Sequence, residues 1–131
     1  MDFHYKKEIE GTFALVLPRV KEALLGEGFG IISEIDVRNT IKKKLGKDFD
    51  DYTILGACNP SFAHTALLID RDIGLFMPCN VIVYERQDMP GRVVIAAVRS
   101  TFAMSVVENP EIKALAETVE EKLKKAVDAV A

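Results

Sequence analysis

The sequence predicts an α+β fold of two layers, a mixed or mainly antiparallel sheet covered by helices. Three observations predict it. Apolar residues alternate with period two in some segments and recur at helical spacing in others, in the order strand, helix, strand, helix, strand, helix, two strands, one or two helices. "QDMPG", residues 87–91, separates the last two strands and reads as the turn of an antiparallel hairpin. The segment opened by Asn109-Pro110 carries one unbroken apolar stripe, Ile112, Leu115, Ala116, Val119, Leu123, Ala126, Val127 and Val130, the mark of a long helix packed on a core. With 131 residues the chain fits a single domain, 1–131, with no linker, internal repeat or low-complexity segment. A chain of that length buries roughly 65–70% of its unfolded surface, enough for a core without staples.

The elements follow from local chemistry. Phe3, Tyr5, Lys7 and Ile9 alternate with polar or small neighbours, as in a half-buried strand. Thr12 is placed to cap a helix with Val16, Val20, Ala23 and Leu24 on its inner face. Pro18 removes a backbone donor there, so either a kink or a helix beginning only at Pro18 is expected. Gly26 or Gly28 supplies the positive φ that closes the helix. Strand two is Phe29 to Ile35. Asp36 then caps a short helix with Val37, Ile41 and Leu45 four apart and Gly46 at its end. Lys42, Lys43 and Lys44 oppose the macrodipole at that terminus, and Asp48, Asp50 and Asp51 neutralise them locally. A solvated face therefore accounts for the lysine run better than an anion site.

Strand three runs from Tyr52 to Cys58. Asn59-Pro60 is a helix start, asparagine as N-cap and proline at the first helical position, and the helix extends to about Asp70. Gly74 and Pro78 bracket an apolar loop before strand four, Asn80 to Glu85. Strand five is Arg92 to Val98, Ser100 caps a short helix to Val107, and the Asn109-Pro110 helix continues to about Val130.

Composition excludes several functions. A net charge of −3 does not suit nucleic acid, whose binding needs a basic surface for counterion release. No apolar run reaches the roughly 20 residues of a membrane span, and "MDFHYKKEIE" lacks the apolar core of a signal peptide. The cytoplasm is the expected compartment, and there the two cysteines are expected to be reduced thiols. The glycines of "GEGFG" come after a helix and before a strand, the reverse of the order that aims amides at a phosphate.

"GFGIISEIDV", "KKKLG", "ILGACNP" and "LFMPCNVIVYE", taken in order, resemble a bacterial and archaeal family catalogued as domain of unknown function 302. The likeness runs from about Gly11 to Leu123. It implies a curved sheet under helices, like one half of the TATA-binding protein, without implying DNA binding, and it implies no activity. The chain departs from the family pattern at Arg99-Ser100, where Asp-Pro is expected, and at Pro18.

Two Cys-Asn pairs, Cys58-Asn59 and Cys79-Asn80, stand at strand boundaries and mark where a ligand site would be. The leading reading is a small soluble binding or interaction domain, not an enzyme, with that site at the sheet edge. Its partner is an unknown small molecule or protein, and a homodimer is compatible with the sequence. The alternative is a thiol-dependent redox or metal-handling protein using Cys58 and Cys79. A helix N-terminus beside Cys58 favours a thiolate, whereas the apolar "ILGAC" context favours a buried neutral thiol. Cys58, His64 and Cys79 are soft ligands for zinc or copper, but the C-x5-H and H-x14-C spacing supplies no tight chelate. A cysteine–histidine–asparagine nucleophile is weakened because Asn59 already caps the helix that carries His64. No cofactor is indicated. Asn80 is expected to satisfy buried backbone groups, so its loss should damage the fold more than loss of either cysteine. Glu34 with Asp36, and Glu85, Arg86 and Arg92 around the hairpin, are expected to be cap or surface groups. Met77, Met89 and Met104 are expected to fill the core or its rim.

Overall fold

A computed structural model describes residues 2–131. Along the chain lie β1 (His4–Glu10), α1 (Phe13–Gly26), β2 (Gly30–Asp36), α2 (Val37–Leu45), β3 (Asp51–Cys58) and α3 (Pro60–Ile69). A 3-10 helix (Arg71–Phe76), β4 (Cys79–Glu85), β5 (Arg92–Val98), α4 (Ser100–Ala103) and α5 (Pro110–Ala129) complete it. The strands form one sheet in the order β1-β5-β4-β3-β2. Every neighbouring pair is antiparallel, which resolves the expectation of a mixed or mainly antiparallel sheet in favour of the second.

Period-two alternation decides which face is buried. Leu55 pairs with Val81 and Val81 with Ala97, and with Val83, Val93 and Ile95 they make a continuous apolar floor. Val16, Val20 and Leu24, four apart on α1, and Leu123, Ala126 and Val127 on α5 lie on that floor. A second, smaller cluster gathers Ala66 of α3, Ile73 of the 3-10 helix and Ile112 of α5, with Leu67, Met77, Met104 and Leu115 against it. The helix-rich end of the sheet thus has its own core, separate from the main one.

The local capping chemistry is largely as the sequence predicts. Asp36 Oδ1 accepts from the Asn39 amide at 3.0 Å, and Gly46 takes φ +67° after α2. Asn109 Oδ1 accepts from the Glu111 and Ile112 amides at 2.9 and 3.2 Å. Asn59 Oδ1 accepts from the Phe62 amide over a longer 3.5 Å. Replacing Asn109 by alanine is expected to cost about 1 kcal/mol and Asn59 less, given that longer bond. Urea midpoints check this, and two variants as stable as the parent would refute the capping role.

Several boundaries differ from expectation. Helix α1 begins at Phe13 and runs through Pro18, whose exposed position leaves the unpaired carbonyl before it to solvent. Thr12 makes no side-chain cap. The carboxylate of Glu85, 72 residues away, accepts from the Phe13 amide at 2.7 Å and from Gly91 at 3.0 Å, joining the start of α1 to the hairpin turn. The segment before Pro78 includes the 3-10 helix rather than a plain loop, and α4 ends at Ala103, short of Val107. At the far end of α5, the Lys7 ammonium donates to the carbonyls of Asp128 and Val130, a cation where the helix dipole favours one.

Candidate functional site

Strands β3 and β4 are antiparallel neighbours, with Ala57 registered on Cys79 and Gly56 on Asn80. Cys58 therefore stands one residue beyond the partner of Cys79. Both cysteines line one cavity of about 350 Å³ at the end of the sheet. Its walls come from almost every element of the helix-rich end. Phe29 and Ala57 belong to the main core, whereas Ala66, Ile73 and Ile112 belong to the smaller one, so the cavity occupies the gap between the two clusters. Phe76 and Ile32 line it yet are 38% and 64% exposed, and the cavity opens to solvent on their side.

Its polar groups are few. They are Asn59, Ser100 and the two thiols. Among the described residues, no lysine, arginine, histidine, aspartate or glutamate lines it. Ser100 is 3% exposed, and its hydroxyl lies 3.8 Å from the Cys79 sulfur, a weak contact. Burial pushes the Cys79 thiol above its ordinary pKa; the Ser100 contact pulls slightly the other way, and the neighbouring Cys58 adds to the rise. Cys79 is therefore a neutral thiol at neutral pH. Asn59 is held by its cap to α3 and abuts Gly28, where a Cβ would sit 3.0 Å from the Asn59 Nδ2 and the backbone has φ +87°.

A buried carboxylate supports the wall that carries Ser100. Glu120 of α5 accepts from the Thr101 amide at 3.1 Å and from the Thr101 hydroxyl at 2.7 Å. Its other oxygen faces Arg99 at 3.5 Å and Lys124 at 3.9 Å. Burial alone would raise its pKa, but the two Thr101 hydrogen bonds and the flanking cations outweigh burial and hold it below its ordinary value of 4.5.

Two expectations are corrected here. His64 is exposed on α3 and does not line the cavity, because Ala63, Ala66 and Leu67 occupy the inward positions of that helix. Among the described residues no three His, Cys, Asp or Glu side chains are grouped to hold a metal ion, so the set Cys58, His64 and Cys79 is not assembled. The same placement removes His64 as a base for Cys58. Asn80 is exposed, since alternation along β4 turns Cys79 and Val81 inward and Asn80 outward. Asn80→Ala is accordingly expected to shift the denaturation midpoint by less than about 0.5 kcal/mol. Ser100 reads from the sequence as a helix cap, a role it does not fill because Arg99 holds the cap position of α4, and neither Glu120 nor the apolar walls had a signal that marked them as part of a site. Asn80 did: its place between two inward-facing residues already assigned it to the solvent side.

With this geometry in view, the chain belongs to the family described as domain of unknown function DUF302, whose model matches residues 5–130. It is similar to the crystal structure of an uncharacterized conserved protein DUF302 from Bacillus stearothermophilus, with 28% identity, full coverage of both chains and a TM-score of 0.90. Comparison with curated proteins finds no match. Among the described residues, no helix is long and apolar enough to cross a membrane.

Proposed function

We propose that this protein is a small-molecule-binding domain rather than an enzyme, and that its site is the apolar cavity at Cys58, Asn59 and Cys79. The observation that carries the reading is an open apolar space of about 350 Å³ set between two packed clusters. Ligand sites are typically about 300–1,000 Å³, mostly apolar, with a few placed polar groups. Water fills such a space poorly because it finds few hydrogen-bond partners.

Titration with 2-naphthol, a neutral aromatic probe whose size of about eleven non-hydrogen atoms suits the volume available, tests the reading. The chain has no tryptophan to obscure the probe's emission. Saturable binding at one probe per chain is expected, and its loss in Ala116→Phe, since Ala116 is buried on the cavity wall. A linear, non-saturating response would refute it.

The thiol-dependent alternative requires a thiolate, and the raised pKa of Cys79 opposes one. Cys79 is expected to react with iodoacetamide near pH 7 more slowly than a free thiol. Cys58→Ala and Cys79→Ala should fold with losses of about 1 kcal/mol from small cavities and should still bind the probe. Rapid alkylation of Cys79, or stoichiometric metal in the purified protein, would favour the thiol reading instead.

A further inference from the structure

Resting on that cavity reading, we infer that the occupant is an uncharged, largely apolar molecule of about a dozen non-hydrogen atoms, which presents one hydroxyl or carbonyl oxygen to Ser100 and Cys79. The size follows from the volume. About 350 Å³ holds roughly twelve groups at the ~30 Å³ share of one water.

The absence of charge follows from the walls. A carboxylate or ammonium brought into this space would lose its hydration and find no counter-charge among the lining residues. The nearest charges are already committed. Glu120 is occupied by Thr101, Arg99 and Lys124 in the wall behind Ser100. Paired among themselves and outside the lining, these groups offer no free counter-charge to an ionic head group. Bile-salt-like, fatty-acid-like and amine ligands are therefore disfavoured, while alcohols, ketones and phenols are admitted.

The polar end is placed by Ser100. Its hydroxyl is buried, and the 3.8 Å contact with the Cys79 sulfur, in which either group can donate, is weak and leaves most of its hydrogen-bonding capacity unspent. Ser100, Met77, Cys79 and Met104 also line a neighbouring hollow of about 210 Å³, so this residue borders both spaces. A buried hydroxyl without a strong partner is uncommon, and a ligand oxygen at that point would complete it. The neutral Cys79 thiol beside it is a weak donor to the same oxygen.

Calorimetric titration of the intact protein at pH 7 with four matched probes tests the inference: 4-phenyl-1-butanol, butylbenzene, 4-phenylbutanoate and 4-phenylbutylammonium. The alcohol is expected to bind at least tenfold more tightly than either ion and severalfold more tightly than the hydrocarbon. Ser100→Ala should erase the advantage of the alcohol over butylbenzene while leaving butylbenzene binding unchanged. Carboxylate or ammonium binding as tight as that of the alcohol would overturn the uncharged class and leave the cavity reading standing. An alcohol preference that survives Ser100→Ala would overturn the placement of the polar end. Failure of all four probes, with the protein folded, would overturn the cavity reading itself.

Discussion

Replacing Glu120 by alanine is expected to destabilise the protein by on the order of 3 kcal/mol, the largest loss expected of any polar side chain here. The carboxylate is almost fully buried and does three things at once. It receives the Thr101 amide, receives the Thr101 hydroxyl, and neutralises Arg99 and Lys124. Removing it strands a partly buried backbone donor at the first turn of α4 and leaves the Arg99 guanidinium, whose Nε is buried, without its counter-charge. Glu120→Gln keeps one acceptor for Thr101 but no charge, and should lose about half as much. The pH dependence has a definite sign. Because the folded pKa is held below 4.5, the contribution of Glu120 is fully present above that value and is lost as pH falls through the lower folded value. Above pH 4.5 the parent and Glu120→Gln should therefore respond alike, and below it the parent should lose stability on acidification more steeply than Glu120→Gln. Curves of urea-unfolding free energy that stay parallel below pH 4.5 would contradict this.

Gly56→Ala is the second large expected effect, and its sign separates two accounts. In an ordinary strand, glycine is less favourable than alanine by roughly 0.5–1 kcal/mol, so the change would stabilise if there were room. There is none. A Cβ on Gly56 would lie 2.1 Å from the Ser33 Oγ and 2.7 Å from the Pro78 Cγ. The serine hydroxyl can rotate away, but the proline ring is rigid, and β2, β3 and the entry to β4 must separate locally. A loss of about 1–3 kcal/mol is expected. Adding Ser33→Ala should recover only part of it, because the Pro78 contact remains. Thermal melting of the single and double variants checks this; an unchanged or raised midpoint in Gly56→Ala would mean the two segments pack less closely.

What the sequence makes legible is governed by distance along the chain. Asp36, Asn59 and Asn109 are readable as caps because each side chain serves amides two or three residues on. The apolar floor of the sheet and the stripe of α5 are readable because periodicity is local. Glu85 is not, since its partner amide at Phe13 lies 72 residues earlier. Nor is Glu120, which reads as one half of an exposed i,i+4 pair with Lys124 and is in fact buried against Arg99 and Thr101. Ionic spacing on a helix does not reveal what the next helix brings to it.

The candidate site shows the same division. Its two cysteines are marked by their Cys-Asn context and by their strand boundaries, and antiparallel pairing sets them one residue apart across β3 and β4. The space between them and the helices is invisible from sequence. Its walls combine residues as distant as Phe29 and Val119, each of which alone is ordinary core. A cavity is a failure of two clusters to meet, and no residue type encodes that. The ligand reading of His64, the weaker one beside a place on the helix surface, fails for the opposite cause. Residue type suggested a ligand, while helical phase points Ala63, Ala66 and Leu67 inward and leaves His64 outside.

The central claim, that this cavity takes an apolar ligand, is tested most directly by thermal unfolding of the parent and of Ala116→Phe with and without 4-phenyl-1-butanol. At a concentration about a hundredfold above its dissociation constant, the probe should stabilise the parent by about 2.7 kcal/mol. The filled variant should melt near the unliganded parent and respond to the probe hardly at all. A midpoint that rises equally in both proteins, or in neither, would contradict the assignment of this cavity as the binding site.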